Sequence, residues 1–290
     1  MHKFLRAIGF SDITKKDLEM ILDEVITRPE IMKITKDSEG NEFAELSGSF
    51  AANAGITVRG TYQEDDSFHM DYYYPYVFGT SITTNEQIDV EKHAEKESYA
   101  GVCDEVNLGV TLIFYIQNVA DYLAETNRHL SKIHYGAMLA GLSTEGKILC
   151  PVVERKKNDV PAIQKNDRHN QLIAQAREGD EDAIESLTLE DMDTYALLSQ
   201  RVMKEDIFSI VKSTFMPFGI ESDQYTVLGE IIDCVTMENR LTHEKLYGMK
   251  LLCNNIQFDV CINEKDLLGE PATGRRFRGN VWMQGNLCLE

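Results

Sequence analysis

The sequence predicts an α+β fold with an antiparallel, β-rich N-terminal unit, a helical middle section and a small C-terminal antiparallel β meander or partly closed barrel. Three observations predict it. A short helical pattern near the N-terminus gives way to period-two alternation, a polar stretch at 171–218 returns to helical spacing, and alternation resumes from about Ser222 onward. These changes of period set the expected boundaries: an α+β unit over 1–155, a polar linker over 156–170, an acidic helical section over 171–218 and a β unit over 219–290.

Within the first unit, "KFLRAIGF" reads as a strand. Thr14 followed by Asp17 supplies an N-cap, and Leu18, Ile21, Leu22, Val25 and Ile26 recur at helical spacing until Pro29 stops the helix. A hairpin is expected around Asp37 to Asn41. Ile56, Val58, Gly60 and Tyr62 alternate before "QEDDS" turns the chain into a partner strand carrying Phe68, Met70, Tyr72 and Tyr74. On that strand Tyr73 and Tyr76 are expected on the exposed face. "NEQIDVEKHAEKES" reads as a polar connector, "NLGVTLIFYIQN" as a buried strand and "VADYLAET" as a short helix. "KIHYGAMLAGLSTEGKILCPVV" reads as two strands around a turn at Thr144 to Lys147.

"ERKKNDVPAIQKNDRHNQ", with Pro161, is the linker. Asp180 and Thr188 are natural N-caps in the helical section, and residues 178–193 hold eight acids and no base. The C-terminal unit shows three alternating series, with Tyr225 to Met237, Ile256 to Ile262 and Phe277 to Leu289 as their ends.

Composition narrows the function classes. No apolar run approaches the roughly 18 residues a membrane span requires, so no membrane association is expected, and no signal-peptide pattern opens the chain. Six scattered cysteines without CxxC spacing fit a reducing compartment, and the expected location is the cytoplasm. With 48 acidic residues against 29 lysines and arginines, the net charge of −19 argues against a nucleic-acid partner. An acidic or anionic ligand, or a protein partner, is the expectation that remains.

The strings "HKFLRAIGF", "GDEDAIESLTLEDMDTY", "FMPFGIESDQYTVLGEI" and "INEKDLLGEPATGRRFRGNVWMQG" resemble, over the whole length, a bacterial protein family catalogued as domain of unknown function 3881, typical of anaerobic Gram-positive gut bacteria. The resemblance implies a bacterial, cytoplasmic protein. It implies no activity, substrate, cofactor or catalytic residue.

Two constellations offer chemistry. In "GEPATGRRFRGNVWMQG", a strand running inward through Phe277, Val281 and Met283 turns Arg276 and Arg278 to the other face, with Arg275 at the loop mouth. Guanidinium groups so grouped suit an anion, or else pair internally with the acidic section. Trp282 is expected within reach of that segment. In "FHMDYYYPY", His69 and Asp71 lie two apart on one strand face, the local geometry of a metal site, with His129 or His134 as a third ligand; a hydrogen-bonded pair on a solvated face is the alternative. Cys103 beside Asp104 and Glu105 is expected to be an unreactive thiol, and no serine elbow, Cys–His pair or phosphate loop is present. The composition and motifs together predict a binding or regulatory protein without catalysis. The alternative is an enzyme with a metal at His69 and Asp71 or an anionic substrate at Arg275, Arg276 and Arg278; no cofactor is implied.

Overall fold

The computed structural model describes residues 1–92, 96–127, 134–152, 172, 175, 180, 182–183, 185–187, 211–220 and 222–289. The described residues are predominantly β, which corrects the α+β expectation. Strands β1 (Ile31–Lys36), β2 (Glu42–Ala51), β3 (Ala54–Tyr62) and β4 (Phe68–Val77) form an antiparallel four-stranded sheet in that order. Ten further strands form the second sheet: β5 (Thr84–Lys92), β6 (Tyr99–Glu105), β7 (Val110–Ile116), β8 (His134–Leu149), β9 (Thr214–Pro217), β10 (Gln224–Glu238), β11 (Lys245–Cys253), β12 (Ile256–Asn263), β13 (Leu267–Leu268) and β14 (Arg276–Leu287).

Two places made the sequence read less β than it is. The polar connector is in fact β5, whose Ile88 and Val90 alternate between charged neighbours on the wet face. The expected turn at Thr144 lies inside the continuous 16-residue strand β8. There Thr144 is an extra residue opposite β14, since Glu145 pairs with Asn280 and Ser143 with Val281; Ser143 Oγ holds the bulge by donating to the carbonyl oxygens of Glu145 and Asn280, both at 2.8 Å. The helical middle section is not seen as a unit. The linker 156–170 and most of 171–218, including Thr188, lie outside the described residues; Asp180 does cap a short turn, accepting from the backbone N–H groups of Asp182 and Ala183. Nor do the C-terminal strands stand apart as a small meander or barrel, because β12, β13 and β14 all pair with β8.

These pairings close two rings. β8, β12, β11, β10 and β14 form one, and β8, β5, β6, β7 and β14 form the other. The β8–β14 ribbon runs through both, and its inner face is continuous: Phe277, Val281, Met283 and Leu287 join Leu112, Phe114, Leu139, Met249 and Phe258 in one apolar core. The ring of Phe114 fills space that two glycines leave open. A Cβ on Gly101 would lie 2.3 Å from it, and one on Gly285 2.7 Å.

The outer face of the ribbon carries Arg276, Arg278, Asn280, Trp282, Gln284 and Asn286 in succession. Its middle is covered by the first residues of the chain. "KFLRAI" is not a strand but a 3-10 helix, Lys3–Ile8, ended by Gly9 at φ +93°, a backbone conformation that favours glycine. Here a side chain would also collide with Asn239, at 2.6 Å. Beyond it, helix α1 (Lys15–Thr27) opens with the full capping box of Thr14 and Asp17 and lays Leu18, Leu22 and Val25 on the four-stranded sheet. Helix α2 (Val119–Asn127) follows β7. No described helix is long and apolar enough to cross a membrane.

The 3-10 helix is pinned by ion pairs. Arg6 donates twice to Asp266, at 2.6 and 2.5 Å, and Glu244 accepts from Ser11, Asn263 and Lys265. Burial alone would raise the Glu244 carboxyl, but those hydrogen bonds outweigh it and hold it below the usual carboxylate range. The unfolded chain therefore takes up this proton first, so the contribution is complete above about pH 5 and disappears as pH falls through the lowered folded value. Glu244→Gln is expected to lower the urea midpoint at neutral pH and to narrow its gap to the parent as pH drops to about 3. A gap that stays constant with pH would show that Glu244 contributes only shape.

Candidate functional site

The three arginines share a segment but not a task. Arg275 is exposed and donates to the Glu270 carbonyl oxygen at 2.7 Å. Arg276, 5% exposed, donates from Nε to the Cys150 carbonyl at 2.9 Å and from Nη1 to that of Val211 at 2.6 Å, tying β14 to the chain that leads into β9. Burial lowers its pKa. Arg278 lies on the same outer face, directly across from Lys147 of β8. The two cations line a cleft of about 460 Å³ whose walls are apolar at Phe218 and Leu268, polar at Thr226 and Asn280 and acidic at Glu145. Asn280 is fixed there, accepting from Thr226 Oγ1 at 2.7 Å and donating to Glu145. Arg278 and Lys147 also interact with neighbouring protein groups.

Trp282 lies farther along this face and away from the arginines. Its indole sits between His2, Phe4 and Tyr115, and its Nε1 donates to Asp223 at 2.7 Å, so its emission reports on the seating of the 3-10 helix. His69 and Asp71 are separated by a bulge: Gly60 pairs with Met70 and Arg59 with Tyr72, which leaves Asp71 as the extra residue, and the Lys96 ammonium lies 3.6 Å from its carboxylate. His129 is outside the described residues, and His134 begins β8. Among the described residues no three His, Cys, Asp or Glu side chains converge as metal ligands. Tyr76, expected outside, is 2% exposed and stacks on Phe78. Burial first, then Glu105, pushes the Cys103 thiol up to about 12, which keeps it protonated and inert.

A second cleft, absent from the sequence reading, lies at the other end of the same outer face, where the four-stranded sheet meets the ring of β5, β6, β7, β8 and β14. Strand register places Lys33, Glu45, Arg59 and Tyr72 in one row across β1 to β4, with Ile31, Ser47, Thr57 and Tyr74 in the next. Arg59 is fully buried. Its Nε and Nη2 grip Glu45 Oε1 at 3.0 and 2.8 Å, Nη1 reaches the hydroxyls of Tyr72 and Tyr115, and Nη2 also donates to the carbonyls of Ile116 and Gln117. Burial would lower its pKa, but the oxygens of Tyr115, Tyr74, Glu45 and Tyr72 reverse that and keep it a cation. The other oxygen of Glu45 accepts from the backbone N–H of Ala120 at the start of α2, so one carboxylate ties the four-stranded sheet to that helix. Above this cluster the cleft encloses about 390 Å³. Amides form its far wall: Gln117 bridges the Val77 carbonyl and Gln284, Asn286 donates to Gln117 at 3.0 Å, and Asn118 exchanges two hydrogen bonds with the Leu287 backbone. Arg59 escapes sequence reading because it sits alone in "ITVRGTY". The available signal is that β4, next in sequence, supplies hydroxyl-bearing tyrosines on the same face.

No curated protein and no solved structure matches the chain. Residues 5–285 do match the family described as "Domain of unknown function, E. rectale Gene description (DUF3881)", in agreement with the whole-length resemblance of its motifs, and the chain belongs to that family.

Proposed function

We propose that the protein is a cytoplasmic, non-catalytic binding protein that takes an anionic group carrying an apolar tail in the cleft between Arg278 and Lys147. The observation that carries this reading is the cross-strand pairing of two cations in a cleft also lined by Phe218 and by Leu268, the latter beside Lys147 in strand register. A phosphate or carboxylate meets the guanidinium in a fork and the ammonium as a point charge, while the apolar rim covers the tail. Arg275 and Arg276 support the site through the backbone they hold. The six cysteines, all free thiols, support the reducing compartment.

Thermal unfolding with hexyl phosphate, hexanoate and hexanol tests it. The two anions are expected to raise the midpoint and hexanol to leave it unchanged; Arg278→Gln/Lys147→Gln is expected to weaken anion binding by about tenfold or more. Equal effects of hexanol and hexanoate, or anion binding undiminished in the double variant, would refute the reading.

A further inference from the structure

We propose that the cleft between the two sheets is a second binding site, for an uncharged polyhydroxylated molecule of mono- to disaccharide size. Charge is the first argument. Each ionised group on its wall is matched within the protein: Glu45 is held by Arg59, and Lys33 meets Asp121 at 2.5 Å across the mouth, from β1 to α2. A charged ligand would leave one of these pairs unbalanced, so the site selects a neutral one.

The polar lining then specifies hydroxyl chemistry. Ser47 and Thr57, 7% and 3% exposed, sit where two facing sheets would ordinarily place Val or Ile, and burying hydroxyls there costs free energy unless they are used. Their oxygens lie 2.8 Å apart, either hydroxyl being able to donate, and Tyr74, beside Thr57 in strand register, accepts from Arg59 at 3.2 Å. When Ser47 donates to Thr57, its lone pairs are offered to a ligand O–H. Asn286, whose amide nitrogen is anchored on Gln117, presents its oxygen as a second acceptor.

Shape completes the fit. Phe78, set by its stacking on Tyr76 at 4.3 Å, and Met138 give the cavity an apolar side against which the C–H face of a sugar ring packs. At about 390 Å³ the space lies in the usual range for small-molecule sites.

Saturation-transfer NMR on the full chain with glucose, galactose, mannose and N-acetylglucosamine, each beside its phosphate or uronate, provides the test. At least one neutral sugar is expected to bind with a dissociation constant of about 1 mM or tighter, and its charged derivative at least tenfold more weakly. Ile31→Trp projects an indole into the cleft from an exposed strand position and is expected to abolish binding with unfolding unchanged, whereas Ile31→Ala retains it. Thr57→Val is expected to weaken binding about tenfold, and Arg278→Gln, at the other end of the ribbon, to leave it unaltered. Absence of any binding at about 50 mM, preference for the charged forms, or full binding by Ile31→Trp would each overturn the proposal.

Discussion

Arg59→Met is expected to cost about 3–5 kcal/mol of unfolding free energy, lowering the melting midpoint by roughly 10 °C. The methionine fills most of the volume, so the loss comes from what the guanidinium leaves behind. Glu45 remains buried without its cation, and the carbonyls of Ile116 and Gln117 lose their donor. Arg59→Lys is expected to recover little, since an ammonium offers three donors from one point and cannot span Glu45, three tyrosine hydroxyls and two carbonyls. The informative comparison is Arg59→Met/Glu45→Leu. Removing both charges should destabilise less than the two single changes summed, because no ion is then stranded. Additive losses in urea titrations would mean that each group acts through its own separate contacts.

Phe114→Ala is expected to cost a similar 3–5 kcal/mol, for a different reason. Its ring is wholly buried inside the closed set of β5, β6, β7, β8 and β14 and occupies the space beside Gly101 and Gly285. Gly101→Ala alone should also be strongly destabilising, because the three atoms nearest its added methyl all belong to the Phe114 ring, at 2.3 to 2.8 Å. In the Phe114→Ala background that methyl enters vacated space and should restore part of the loss. The double-mutant cycle therefore predicts a coupling energy favouring the pair by about 1–3 kcal/mol, read from denaturant midpoints; zero coupling would place the ring elsewhere.

What the sequence disclosed was local chemistry. Thr14 and Asp17 cap α1 because both partners lie within four residues, and Asp37 organises the β1–β2 turn by accepting from the backbone of Glu39 and Asn41. The outward direction of Arg276 and Arg278 follows from the alternation of Phe277, Val281 and Met283. What stayed hidden depends on distant partners. "STEG" has the residues of a turn, and only the ladder to β14 makes it a bulge in a longer strand. "KFLRAIGF" has a strand's composition, yet it lies across β8 and β12 as a 3-10 helix because Gly9 and Asn239 end it there. The second cleft is assembled from five strands and a helix, none of which carries a motif. Its one conspicuous group, Arg59, alternates with the apolar Val58 in a pattern that reads as a solvated face, because a sheet covered on both sides cannot be told from one strand alone.

The ribbon shared by the two rings also governs the order in which the chain can fold. β8 is complete by residue 149, about the middle of the chain, while β14 emerges only after β9 to β13. Until then neither ring can close, and the Ala137 to Leu142 edge of β8, rich in small and apolar residues, waits on the ribosome without its principal partner. Long-range pairing of this kind makes folding slow and exposes an aggregation-prone edge, so cellular yield is set by how quickly β14 arrives and by what shields β8 meanwhile.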